Sequence, residues 1–309
     1  MIYTVTMNPA LDKTAIIPNF RTDGVNRIDS VRTDPGGKGI NVSKVIQKLG
    51  AESVALGILA GHSGQKIAQS LEEMGLACRF TFVPGETRTN LKIVDPVGHT
   101  HTDINEPGQP VSQEILDTLL ESLLQQLQPG DIVVLSGSLP KGAASDTYGV
   151  WTRACSDKGT RVFLDADGAP LHQGLEAKPW LVKPNEKELA NLFGEFSGDE
   201  AELVSAGRKL QERGIARVVI SLGADGALFF LEDGVYRAEG LSVPVRSTVG
   251  AGDSMVAALA VACEKQFSDE KTVALAMAAS AANVMCSGTQ AAEWEVIEKL
   301  LPDVRFEKI

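Results

Sequence analysis

The sequence predicts a three-layer α/β protein, with helices on both faces of a mainly parallel sheet and a small β-sheet lid. Three observations carry this. From Ser112 onward, helix-type and strand-type segments alternate, as they do when parallel strands are joined by crossover helices. Two stretches, near 13–33 and 80–104, break the N-terminal part with short β-like pieces that lack a helical period. At 309 residues, with 43% hydrophobic residues, the chain can bury a core without staples. The expected organisation is one domain over 1–309, its lid built from the two β-rich excursions.

Ile2 to Met7 alternates as a strand and ends at the turn signal Asn8-Pro9. After Pro35-Gly36-Gly37-Lys38-Gly39, the apolar positions Val42, Val45, Ile46 and Leu49 fall on one helical face, and Gly50 stops the helix. Ser53–Leu59 reads as a strand and Gln65–Met74 as a helix ending at Gly75. Arg79–Val83 and Thr87–Val94 read as short strands of the second excursion. Ser112 is a good N-cap for the stripe Ile115, Leu116, Leu119, Leu120, Leu123 and Leu127. The alternation then runs Ile132–Leu135, Thr147–Lys158, Val162–Asp165, Trp180–Lys183, Glu186–Phe193, Glu200–Arg213 and Val218–Leu222. Ala227–Leu231 and Gly234–Arg237 suggest an antiparallel edge hairpin. Two Ala-rich helices, Asp253–Glu264 and Asp269–Cys286, are expected to close the chain.

The charge balance, 29 − 40 = −11, argues against nucleic acid as a partner, which needs a basic stripe. No apolar run is long enough to span a membrane, and the N-terminus has no secretory pattern. Four scattered cysteines with no C-x-x-C pair suit free thiols in the cytoplasm. There is no G-x-x-x-x-G-K-[ST], no H-E-x-x-H, no G-x-S-x-G and no dinucleotide fingerprint at the only late G-x-G.

Three Gly-rich clusters remain. Gly36–Asn41 opens a helix, where bare amides and Lys38 favour an anion; an ordinary tight turn is the competing reading. Gly250-Ala251-Gly252-Asp253 opens another. Asp253 could be a plain N-cap, but a cap needs no glycines, whereas a nest for a transferring phosphoryl group does. Ser221–Ala227 follows a strand and could wrap a nucleotide phosphate.

Together with Thr6–Asp12, Thr87–Asn90, Ser136–Pro140, Lys183–Glu188 and Ser247–Ser254, these clusters make the chain resemble, from end to end, the phosphofructokinase B family of ribokinase-like sugar kinases. The resemblance implies ATP-dependent phosphorylation of a ketose phosphate. The expected acceptor is the C6 hydroxyl of fructose 1-phosphate, with tagatose 6-phosphate or fructose 6-phosphate as alternatives. It assigns Asp253 as the base and the Gly250, Ala251 and Gly252 backbone as the anion hole. Asp12, Gly37, Asn41, Asn90 and Ser138 would hold the sugar, and Lys38, Arg88 and Arg27 its phosphate. Lys183, Asn185, Ser221, Gly223, Gly226 and Asn283 would contact ATP. Asn185 and Glu188 would organise Mg²⁺ largely through water, and Ser247, Val249 and Gly288 would lie near a K⁺ site. Lid pairing into a homodimer is also implied. One departure stands out: Asp165-Ala166-Asp167-Gly168 lacks the two hydroxyls relatives often carry there. A non-catalytic sugar-phosphate sensor is the alternative from another class. It predicts damage at Asp253 or the glycine pair, and neither is damaged.

Overall fold

A computed structural model describes residues 1–194 and 199–309. In chain order the elements are β1 (Ile2–Thr6), β2 (Ala10–Ile16), β3 (Ser30–Gly36), α1 (Lys38–Lys48), β4 (Ser53–Ala60), α2 (Gly61–Glu73), β5 (Ala77–Val83), β6 (Thr89–Asp95), β7 (Thr100–Asn105), α3 (Gln113–Leu124), β8 (Ile132–Ser136) and α4 (Thr147–Ser156). They continue as β9 (Arg161–Asp165), α5 (Gly168–Leu175), β10 (Leu181–Val182), α6 (Glu186–Phe193), α7 (Glu200–Glu212), β11 (Arg217–Ser221), β12 (Gly226–Phe230), β13 (Val235–Glu239), α8 (Ala251–Glu264), α9 (Asp269–Val284), α10 (Trp294–Leu300) and β14 (Phe306–Lys308).

Ten strands form one sheet in the order β14-β13-β12-β11-β10-β9-β8-β1-β4-β5. Pairing is parallel from β11 to β5 and antiparallel from β11 to β14. The edge hairpin of the sequence reading is β12–β13. The central strands β1 and β8 are buried at every residue, which is why they read as continuous apolar runs. One face packs against α1, α8 and α9; the small Ala257, Ala258 and Ala260 let α8 lie close to the sheet. The other face packs against α3, α4 and α7 through Leu116, Trp151 and Leu210.

A second sheet has the order β3-β2-β6-β7, with β2 and β6 parallel and the outer pairs antiparallel. Asp12 pairs with Asn90 and with Asp34, and Thr14 with Lys92 and Arg32, so one face presents these residues in two rows.

Three local expectations are corrected. Arg79–Val83 does not join the small sheet: it lies in β5, the edge strand beside β4 in the large sheet. Asp269–Cys286 is not the last helix, because α10 and β14 follow; Ile297 anchors α10, and Phe306 packs edge-on against Tyr236. A short helix, α5, stands between β9 and β10, where no element is expected.

Candidate active site

The carboxyl ends of β1, β8, β9 and β11 and the inner face of the small sheet enclose a cavity of about 570 Å³. A second cavity, about 600 Å³, lies beyond the end of β11. Both are lined by Asn185, Ser221 and Gly252, so they meet at the head of α8.

Asp253 sits in the first turn of α8 and is 6% exposed. The Asn41 amide, from α1, donates to its Oδ2 at 2.8 Å. Burial pushes its carboxyl above the usual range, and Lys38 opposes that shift. Gly250 caps the helix with φ 85°, a left-handed conformation suited to glycine. A side chain there would also meet Asn283 Nδ2 at 2.9 Å. The first-turn amides of α8 have no partner within the helix and supply a positive dipole end.

Asp12 on β2 accepts from Asn90 Nδ2 at 2.9 Å, and burial raises its carboxyl too. Asn90 Oδ1, Asn41 Oδ1, Ser136 Oγ and Thr6 Oγ1 are buried with no hydrogen-bond partner among the described residues. All four residues line the first cavity. Hydroxyl-rich ligands supply the donors such oxygens lack.

Asp165, at the end of β9, is 3% exposed and joins two lysines. Its Oδ2 lies 3.3 Å from Lys38 Nζ and its Oδ1 3.4 Å from Lys183 Nζ. Burial acts to raise this carboxyl, but Lys183 and Lys38 outweigh it and hold it below the ordinary value. Lys183 also stands 3.2 Å from where a Cβ on Gly252 would be. The two ammonium groups therefore bracket the junction of the cavities.

Asn185 and Glu188 form a capping box on α6: Glu188 N–H donates to Asn185 Oδ1, and Asn185 N–H to Glu188 Oε2, both at 2.9 Å. This engages one oxygen of each side chain, and both residues line the first cavity. Among the described residues no group of three or more His, Cys, Asp or Glu side chains is set to hold a metal ion. One free carboxylate oxygen fits a magnesium ion that keeps most of its waters, and does not fit an all-protein cage.

Gly37, Lys38, Asn41, Arg88, Asn90 and Ser138 all line the first cavity. Ser138 Oγ accepts from Asn8 Nδ2 at 3.2 Å. Arg88 is already engaged: Nη1 donates to Glu106 O at 2.8 Å and Nη2 to Asn8 O at 3.0 Å. Ser221, Gly223 and Gly226 line the second cavity, whose far wall is apolar: Leu222, Leu241, Val245, Met255 and Met277. Val249 and Gly288 reach the first cavity, and buried Ser247 accepts from Val249 N–H at 3.3 Å.

Two residues lie elsewhere than the sequence reading places them. Arg27 is exposed in the β2–β3 connection and lines neither cavity. Asn283 is buried in α9, where its Nδ2 donates to Val249 O at 3.1 Å; it braces the loop before Gly250 rather than lining the apolar cavity. The reading missed Thr14, Lys92 and Asn105 on the inner face of the small sheet. It also missed Lys44, whose buried Nζ donates to Pro35 O and Thr289 O at 2.9 and 2.8 Å. Period-two alternation of Asp12 with Thr14 and of Asn90 with Lys92 is the signal that points to the first group.

A polar cavity and an apolar one, meeting at an anion-binding helix head beside a buried carboxylate, define a kinase that brings a hydroxylated acceptor to a nucleotide. Comparison with known proteins narrows the class. The model described as "pfkB family carbohydrate kinase" matches residues 5–296, and the chain belongs to that family. It is 38% identical to the 1-phosphofructokinase of Bacillus subtilis over the whole of both chains. The crystal structure of phosphofructokinase-2 from Escherichia coli in complex with potassium superposes with a TM-score of 0.93 at 30% identity, over 98% of each chain. Arabidopsis thaliana ribokinase shares the fold, with a TM-score of 0.77 at 23% identity over 97% of this chain and 98% of that one.

Proposed function

We propose that the protein transfers the γ-phosphoryl group of ATP to the C6 hydroxyl of fructose 1-phosphate, giving fructose 1,6-bisphosphate and ADP. The observation that carries this reading is Asp253, buried and oriented by Asn41 at the point where the polar and apolar cavities meet. The full-length similarity to a 1-phosphofructokinase favours this acceptor over tagatose 6-phosphate and fructose 6-phosphate.

In this reading the sugar lies in the first cavity, its hydroxyls on Asp12, Asn90, Asn41 and Ser138. With Oδ2 held by Asn41, Asp253 Oδ1 takes the proton of the attacking hydroxyl as the O–P bond forms. The bond from phosphorus to the β-γ bridging oxygen breaks, and ADP leaves with that electron pair. Charge on the transferring group faces the Gly250, Ala251 and Gly252 amides, Lys183 and Lys38. Positioning and charge neutralisation supply most of the rate. Adenine packs in the apolar cavity, with its phosphates toward Ser221, Gly223 and Gly226. Bound Mg²⁺ would neutralise donor phosphate charge, held through water by Glu188 and Asn185.

Four further assignments belong to the same proposal. The small sheet is a lid that keeps water from the transferring group. Val31 (47% exposed) and Ile104 (51%) on that sheet, with Val25 (85%) in its connecting loop, support pairing of two lids into a homodimer. Ser247, Val249 and Gly288 are the candidate surroundings of K⁺, supported by the potassium complex of the Escherichia coli neighbour. Four free cysteines support a cytoplasmic setting; among the described residues no helix is long and apolar enough to cross a membrane.

The test is ADP release with Mg-ATP and each of the three ketose phosphates. The proposal expects the highest kcat/KM with fructose 1-phosphate. A higher value with either other sugar keeps the chemistry and overturns the acceptor assignment. Binding without turnover of any of them supports the sensor.

A further inference from the structure

At the opposite end of the large sheet, where β9, β10 and β11 begin, a third cavity of about 430 Å³ opens beside the C-terminal end of α8. Its polar wall is unusual. Arg161 opens β9 and Arg217 opens β11; Trp180 stands between them, just before β10. The guanidinium carbons lie 5.4 and 4.9 Å from the Trp180 ring centroid, and Phe163 stacks on the same ring at 5.3 Å. This stacking fixes both guanidinium groups.

The two arginines differ in what satisfies them. Arg217 is paired with Asp269, which is 5% exposed, at 3.4 Å, and with Glu232, which is 84% exposed, also at 3.4 Å. Arg161 has no carboxylate within 4.0 Å among the described residues; its one side-chain hydrogen bond goes to Cys263 Sγ at 3.3 Å. A guanidinium has five N–H donors, and a thiol sulfur is a weak acceptor. A partly buried cation therefore faces a cavity with most of its donors unmet. Among the described residues Glu232 is the only carboxylate lining that cavity, and its exposure lets it swing into solvent.

We infer that this cavity is a second small-molecule site, which takes a phosphate group between Arg161 and Arg217 and displaces Glu232. Planar, fixed guanidinium groups suit the bidentate grip of a phosphate. The site stands apart from the transfer chemistry but is joined to it. β9 begins at Arg161 and ends at Asp165, and Lys183 follows Trp180 by three residues. A ligand here thus sits about 13 Å, one strand length, from the Lys38–Asp165–Lys183 bridge. This placement makes it a regulatory site for a phosphorylated metabolite rather than a place for substrate.

Tryptophan fluorescence and calorimetry, with inorganic phosphate and glycerol 3-phosphate as probes in matched chloride buffers, test this. The expected result is saturable binding of one or both, with Arg161→Gln weakening it at least about tenfold, the loss of a charge-assisted bidentate contact. Glu232→Gln should tighten it roughly two- to fivefold, as removal of one exposed competing charge does. Arg161→Gln should leave kcat/KM without added probe unchanged, which checks the fold. Response to inorganic phosphate means that the phosphate group suffices; response only to glycerol 3-phosphate means that the ester is required. No saturable binding of either probe, or equal binding by wild type and Arg161→Gln, overturns the inference. Neither readout requires that the acceptor be correctly assigned.

Discussion

Replacing Asp165 by Asn keeps the shape of the side chain and removes the charge that joins Lys38 to Lys183. Asp165 is 3% exposed and Lys183 7%, so Lys183 would be left beside a neutral amide with little access to water. Breaking a buried pair from one side costs about 3–5 kcal/mol. Lys38 is 37% exposed and can turn to solvent, so its share is under about 1 kcal/mol. We therefore expect Asp165→Asn to lose about 3 kcal/mol of unfolding free energy in urea, with the m-value unchanged. Most of that loss is an uncompensated Lys183, so Lys183→Met added to Asp165→Asn should restore more than about 1.5 kcal/mol, a coupling typical of contacting charges. The difference between wild type and variant should also depend on pH. The Asp165 carboxyl is held below its unfolded value. Its stabilisation is thus complete above about pH 4 and lost as pH falls through the lower native value. A loss below about 1 kcal/mol, or strictly additive single and double variants, would refute the bridge as the element that fixes the two lysines.

Three further outcomes follow from the same geometry. A Cβ on Gly36 would run into the Asp12 carboxylate; Gly36→Ala should raise KM for the sugar phosphate at least about tenfold while KM for ATP changes little, as steady-state kinetics will reveal. Gly250→Ala places a side chain at φ 85° and against Asn283; strain of about 1–2 kcal/mol at the anion hole should appear as a fall in kcat. Burial raises the carboxyl of Asp253, and in the proposed mechanism it acts as a base only when ionised. The acid limb of the kcat/KM profile should therefore lie above the ordinary aspartate value of about 3.9, with activity lost as pH falls through it.

Much of this arrangement was legible because its signals are local. The Gly250–Asp253 run points to an anion nest through two glycines that a cap does not need, and the alternation after Ser112 gives the parallel sheet. What was not legible depends on distant pairing. Whether Arg79–Val83 joins the large or the small sheet turns on which edge is open, and β4 offers one. Lys92 and Thr14 enter the cavity only because β2 pairs with β6 across seventy-odd residues. Asn185 and Glu188 illustrate a different difficulty: one N-x-x-E spacing suits either a capping box or the proposed water-bound metal, and the structure places the capping bonds. The family resemblance assigns Arg27 to the sugar phosphate, but its loop carries it away from both cavities.

Asp253→Asn tests the central claim most directly, with turnover of fructose 1-phosphate and thermal unfolding measured on one preparation. A buried carboxylate whose ionised form is disfavoured costs stability at neutral pH, so the variant should melt no lower than wild type. Loss of the base should lower kcat by about 10²–10⁴ with KM for the sugar little changed. A variant that unfolds no earlier yet retains kcat within about tenfold would contradict Asp253 as the group that takes the proton.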